Sequence, residues 1–418
     1  MPEANLQADP SARNAALGFL LAGLLMGVTG PLTVAWRYEL DRDPRAIGLH
    51  FLAFNAAVLL CGFLSQSVLR RISIKAVCGA SCAIAFLGFF ELTMAAPPAH
   101  IAWRIMGVAL LGAAAGSLLT ALLHFVRPYY LDHAASTVNF CSVMFGLGCL
   151  MVTLTVGGTY LLLEVRWETL LLAAIPVAFW LPLARDRSMG PEPAGETKRV
   201  LHGGLLKELR SPAAILFSLL LFFQFGNEWA LACWLPLFLI HRLGLSPQSA
   251  LFVLSLYFLA LITGRLMAQL ILQYIGHAKL LFASTLTAML GYLLLSSTES
   301  VVGAALATVV TGLAFAPVYA LVSEKIGHRF DYEPGFFNGI FSLAVTGGML
   351  IPWALGFVAY YLGMEYVLLI PGLGSAAVLV LVLLIMLEAK LMRGEPETAT
   401  GTAVESSKAI AAGAGKRS

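Results

Sequence analysis

The chain has 418 residues, 59% hydrophobic and 12% charged, with a mean hydropathy of +0.85 and a net charge of +3. Soluble domains carry about 25% charged residues, so for most of a chain this long and this apolar the solvent is lipid rather than water. The small net charge carries no signal for nucleic acid. No cofactor, metal site or disulfide framework is expected, because Cys61, Cys78, Cys82, Cys141, Cys149 and Cys233 all fall inside apolar runs as small hydrophobes.

Residues 1–13 form a polar tail without the basic start of a signal peptide, so the apolar run after it reads as a retained span. Runs of about 20 apolar residues then predict an all-α membrane protein of twelve transmembrane helices. The first, 14–36, carries no acid and offers Thr29 and Thr33. The second, 46–69, contains Gly62 and is followed by Arg70, Arg71 and Lys75. The third, 74–96, holds Glu91 near its outer end, and the fourth, 99–124, runs from Arg104 through Gly112 and Thr120 to His124. The fifth and sixth are 136–162, with Asn139 and Gly148, and 166–184.

A linker over 185–211, rich in Pro, Gly and charge, separates these six from the next six. The seventh span, 212–240, contains FQFGNEWALACWLP, with Gln224, Asn227, Glu228, Trp229 and Trp234. The eighth, 246–272, holds Tyr257, Gly264 and Arg265. The ninth is 277–297, and the tenth, 300–323, holds Gly312 and Tyr319. The eleventh, 335–361, holds Asn338, Ser342 and Gly347, and the twelfth is 364–390. The tail over 391–418 is Gly-, Ala-, Ser- and Thr-rich and reads as disordered.

With the N-terminus inside, nineteen of the 26 Lys and Arg fall in inner segments and five in outer loops. That asymmetry orients a multi-pass protein of the cell's inner membrane with both termini cytoplasmic.

The halves 14–184 and 212–390 repeat one another at an offset of about 200 residues. LLGAAAGSLLTALL in span four aligns with VTGLAFAPVYALVS in span ten, matching Gly112 to Gly312. NFCSVMFGLGCL in span five aligns with NGIFSLAVTGGML in span eleven, matching Asn139 to Asn338 and Gly148 to Gly347. Gly62 in span two pairs with Gly264 in span eight. Two similar six-helix bundles related by an axis along the membrane normal are a transporter architecture, with substrate bound between them near the midplane.

In this pattern the chain resembles the major facilitator superfamily across all twelve spans. FGNEWALACWLPLFL, YFLALITGRL and the FGLGCL stretch of span five are similar to its fucose permease-like branch of sugar–proton symporters. The resemblance implies a transporter, not an enzyme, that moves a small polar metabolite by alternating access with protons as coupling ion, working as a monomer. Two positions depart from the family's pattern: Gln66 stands for the acid of the loop after span two, and Leu119 for the glutamate of span four. Export of amphipathic compounds is the alternative within transport, and a non-transporting sensor or scaffold is the alternative outside it.

Ionisable residues inside a bilayer are costly and are functional candidates by default. Glu228 lies deepest and is the leading proton carrier or substrate contact, the alternative being a structural carboxylate satisfied by Gln224 one turn back or by backbone. Arg104, nearer the outer end of span four, either gates with Glu228, binds an anionic or hydroxyl-rich substrate, or snorkels to the headgroups. Trp229 and Trp234 are candidate platforms for a sugar face, with Asn227, Thr120, Asn139, Asn338, Tyr257 and Tyr319 as polar cavity residues. Gly62, Arg70, Arg71, Gly264 and Arg265 are assigned to gating or helix packing.

Overall fold

The computed structural model describes residues 10–36, 43–96, 99–132, 134–185, 211–329 and 334–394. The tails beyond these limits, the linker over 186–210 and the side chain of Asn338 lie outside the described residues.

Fourteen α-helices are present among the described residues. They are α1 (Pro10–Gly27), α2 (Thr29–Ala35), α3 (Pro44–Val68), α4 (Ile74–Met94), α5 (Ile101–Asp132), α6 (Ala134–Thr159) and α7 (Val165–Arg185), then α8 (Pro212–Leu243), α9 (Pro247–Leu272), α10 (His277–Ser297), α11 (Val301–Phe315), α12 (Val318–Arg329), α13 (Pro334–Tyr361) and α14 (Leu369–Gly394). Eleven helical segments are long and apolar enough to cross a membrane, and the bent pair α1–α2 makes twelve. The bend of 45° follows from Pro31, which has no N–H for the carbonyl of residue 27. Ala316–Pro317 interrupts the tenth span in the same way, between α11 and α12. Large side chains such as Leu60, Leu306 and Leu373 are more than 60% exposed, as a lipid solvent allows.

Helix starts follow from local chemistry. Asp43, Ser211 and Ser246 each cap a helix whose first residue is proline, and Ser73 and Ser300 cap α4 and α11. Gly244 closes α8 in the left-handed region, at φ 62°.

The glycine matches correspond to equivalent packing in the two halves. A Cβ on Gly112 of α5 would run into the Phe54 carbonyl of α3, and one on Gly312 of α11 would lie 2.9 Å from the Tyr257 carbonyl of α9. Gly148 of α6 abuts the backbone of α1 at Leu20, and Gly347 of α13 abuts the backbone of α8 at Phe222. In each half, spans two and four touch through a glycine, as do spans one and five. Close helix approach of this kind replaces a hydrophobic driving force that lipid does not supply.

Candidate functional site

An even number of spans puts both chain termini at one end of the bundle, here the termini end; the opposite end is the distal end. The halves close on each other distally. All of α2 is buried, and so is every residue of α8 from Ala230 to Leu239. A Cβ on Gly30 would strike the Ala232 carbonyl, and Thr29 Oγ1 lies 3.8 Å from Cys233 Sγ. Beside them Gly48 of α3 faces Trp353 and Gly356 of α13, backbone to backbone. The space left under Thr33, Trp36, Asp43 and His50 is about 10 Å³, room for one water at most.

Arg45 crosses the same seam. Its guanidinium sits 3.7 Å from the centroid of the Tyr360 ring and is held by Asp43 through bonds of 3.1 and 3.0 Å. Planar stacking on an aromatic face is characteristic of arginine.

Below the seam, on the side toward the termini, residues of both halves keep accessible surface. Phe222, Phe225, Glu228 and Trp229 of α8, Tyr319 of α12, and Asn139, Ser142 and Met144 of α6 are all half-buried. Glu228 is at the middle of α8, sixteen residues after Pro212 and fifteen before Leu243. Gln224 Nε2 donates to its Oε1 at 2.7 Å. That is the partner the i,i+4 spacing on one helix face provides.

The backbone around Glu228 is tied down from two neighbouring helices. Tyr257 Oη donates to the Glu228 carbonyl at 3.3 Å, and Tyr292 Oη donates to the Asn227 carbonyl at 2.7 Å. Asn227 Nδ2 reaches Ser375 Oγ of α14 at 3.3 Å, so Asn227 binds spans seven and twelve together and is wholly buried. Arg265, eighteen residues from the distal end of α9, lies about 4.5 Å deeper than Glu228, fifteen residues from the distal end of α8. A carboxyl, a guanidinium and amide and phenol groups thus lie at similar depths, with Trp229 and the edge-to-face pair Phe225–Tyr319 on the same helices.

The other candidates lie elsewhere. Arg104 is 1% exposed, in the first turn of α5, with its guanidinium 5.6 Å from the Trp36 ring. Fifteen residues separate Glu228 from the distal end of α8, about 22 Å at the helical rise. Three residues place Arg104 about 4.5 Å below its own end, a gap too long for one side chain. Arg104 therefore belongs to the distal seam and not to a pair with Glu228. Trp234 is fully buried in that seam as well, donating Nε1–H to the Pro352 carbonyl at 2.8 Å and meeting Phe51 edge-on. Thr120 spends its hydroxyl on the Gly116 carbonyl at 2.8 Å, beside Gly62. Gly264 gives α9 close contact with Ala316 and Leu313. Arg70 and Arg71 are exposed at the termini end of α3.

A model of the Major Facilitator Superfamily matches residues 15–351 and, again, 218–414. The chain belongs to the major facilitator superfamily. An uncharacterized MFS-type transporter of Yersinia pestis is 22% identical over 82% of this chain and 87% of its own length. The structure of the nucleoside transporter NupG matches with a TM-score of 0.71, covering 90% of this chain and 98% of that one at 14% identity. That of the Escherichia coli fucose:proton symporter FucP matches with a TM-score of 0.63, covering 90% and 98% at 17% identity. At these identities the structures share the fold. Membership in the superfamily makes the chain a multi-pass membrane transporter and not an enzyme.

Two contacts between the halves were not legible in the sequence. Arg45 had the signal of an Asp-Pro-Arg start to a span, but its aromatic partner lies 315 residues away. Arg265 is a sequence candidate for gating, and nothing in its neighbours marks its bond to Ser142 in the other half.

Proposed function

We propose that this transporter couples proton movement to the passage of a small polar metabolite, a sugar or a related compound, with Glu228 as the proton carrier. The observation that carries the reading is a carboxylate at the middle of a 32-residue span, partly accessible and held by a neutral donor, Gln224. A lone carboxylate at that depth is expensive and useful chiefly if it changes its protonation. The halves 14–184 and 212–390 are the rocking units. The excess of basic residues in alternate loops supports an inner-membrane protein with cytoplasmic termini, which makes the distal seam the closed outer gate.

Aromatic groups around Glu228 favour a substrate with a flat or apolar face as well as hydrogen-bonding edges, so nucleosides belong beside sugars in a ligand screen. The same groups support the second reading, export of amphipathic compounds. A thermal-shift screen of purified protein identifies the ligand, since binding raises apparent stability as RT ln(1+[L]/Kd). Proteoliposome uptake of that ligand under a pH gradient then tests the carrier. Glu228→Gln is expected to exchange substrate across the membrane but not accumulate it. Full proton-driven accumulation by the variant would overturn the assignment.

A further inference from the structure

We infer that Arg265 is a positioning residue that links the protonation of Glu228 to the contact between the two halves on the termini side. The inference rests on the reading of Glu228 as the proton carrier. Arg265 belongs to α9 in the second half, yet its Nη1 donates at 2.7 Å to the carbonyl of Ser142 on α6 in the first half. That carbonyl already accepts from the helix's own N–H at residue 146, and its second lone pair takes the guanidinium.

The approach depends on Gly146. A Cβ there would lie 2.8 Å from Ile262 Cγ1 and 3.8 Å from Arg265 Nη1, so the bare backbone lets α9 lie against α6 at this turn. Seven residues separate Arg265 from the end of α9, about 10 Å, which puts the tie on the termini side of the midplane. The distal seam has its own contacts, and alternating access needs one set to release while the other holds.

Arg265 also lies within one helical turn of Glu228 in depth, eighteen residues from the distal end of α9 against fifteen for Glu228 on α8. Beside it Tyr257 of α9 and Tyr292 of α10 bond the carbonyls of Glu228 and Asn227, and Cys149 of α6 bonds the Gly23 carbonyl. Neither α2 nor α13 contains an Asp, Glu, Lys or Arg, and the charged residues of α14 are Glu388, Lys390 and Arg393 at its termini end. The charged residues of α12, Glu324, Lys325 and Arg329, lie in its last two turns, so among the described residues of these helices Arg265 is the cation nearest Glu228 in depth. When Glu228 is protonated, the guanidinium rests on the Ser142 carbonyl and holds α6 to α9. When Glu228 is ionised, the carboxylate competes for the guanidinium across a medium of low dielectric, where charge–charge attraction outweighs a bond to a neutral carbonyl. The tie then weakens and the termini side opens.

The experiment needs no substrate. Spin labels at Ile72 and Tyr274, exposed on termini-side loops of opposite halves, report the separation in nanodiscs between pH 5 and 9. In the otherwise unaltered protein the ratio of long to short distances is expected to rise at least fivefold with pH, the low end of coupling between linked sites. Arg265→Gln removes the dependence, Arg265→Lys restores part of it through charge alone, and Glu228→Gln is fixed near the low-pH distribution. A pH response that survives Arg265→Gln while Glu228→Gln abolishes it overturns the tie and leaves the carrier standing. A response that survives Glu228→Gln overturns both. Distances that ignore pH in the unaltered protein overturn the tie, and the carrier is then judged by accumulation alone. Arg265→Lys keeps the test decisive where Arg265→Gln does not fold.

Discussion

Gly48→Ala should open the distal seam. A Cβ at Gly48 would lie 2.7 Å from the Trp353 carbonyl and 3.4 Å from Gly356 Cα, and both obstacles are backbone. Ordinary carbon–oxygen contacts begin near 3.3 Å, so α3 and α13 must part by about 0.6 Å where they cross. Overfilling a packed contact costs roughly 1–3 kcal/mol. The cost falls only on the state in which the seam is shut, whereas the gain in helix propensity of Ala over Gly is common to both states and cancels. The ratio of distal-open to distal-closed molecules should therefore rise roughly 5- to 150-fold. Spin labels at Leu162 and Val302, exposed on the distal side of opposite halves, read this as a population at longer distance. Gly158→Ala is the control, since no atom lies within 4 Å of the added carbon. A distance distribution unchanged by Gly48→Ala would refute the view that backbone contact between α3 and α13 sets this equilibrium.

The Asp43–Arg45–Tyr360 clamp should be insensitive to pH across the neutral range. The hydrogen bond from Arg45 holds the Asp43 carboxyl below its ordinary value, so its contribution is present at neutral pH and lost only as pH falls through that lowered value. Asp43→Asn should lengthen the Leu162–Val302 distance slightly and equally from pH 5 to 8, a small effect because both side chains are more than a third exposed; a clamp that weakened between pH 8 and 6 would contradict it. Tyr292→Phe removes a buried 2.7 Å bond to the Asn227 carbonyl and should cost roughly 0.5–1.5 kcal/mol, read as a lower melting temperature. Tyr274→Phe, on a side chain 87% exposed, should leave the melting temperature in place, and equal losses in the two variants would count against a role for the buried bond.

Much of the architecture was legible because lipid imposes a simple rule: each crossing needs about 20 apolar residues and satisfies its backbone internally. Hydropathy therefore located the spans, and the glycine pairs Gly112–Gly312 and Gly148–Gly347 marked where helices approach most closely in each half. The depth of Glu228 and its partner Gln224 also followed from chain position, since both are properties of one helix. Break points were less visible: span one became two helices, and span ten is interrupted at Ala316–Pro317, because a proline in lipid bends one helix and leaves another straight according to its neighbours.

Whatever depends on two helices meeting was decided by tertiary structure. Arg104 and Glu228 are both rare intramembrane charges, and sequence alone allowed them to pair; the packing sets them at different depths, so the pairing fails. Trp234, read as a sugar platform, turns inward on the Pro352 carbonyl because α8 is enclosed on every side where the halves meet. Arg265 rests on the Ser142 carbonyl, 123 residues away in the other half. Hydrophobicity along a chain reports each residue's solvent and its face of a helix. Which faces meet, and at what depth, depends on backbone approach between helices, and one glycine such as Gly146 admits it where any side chain would not.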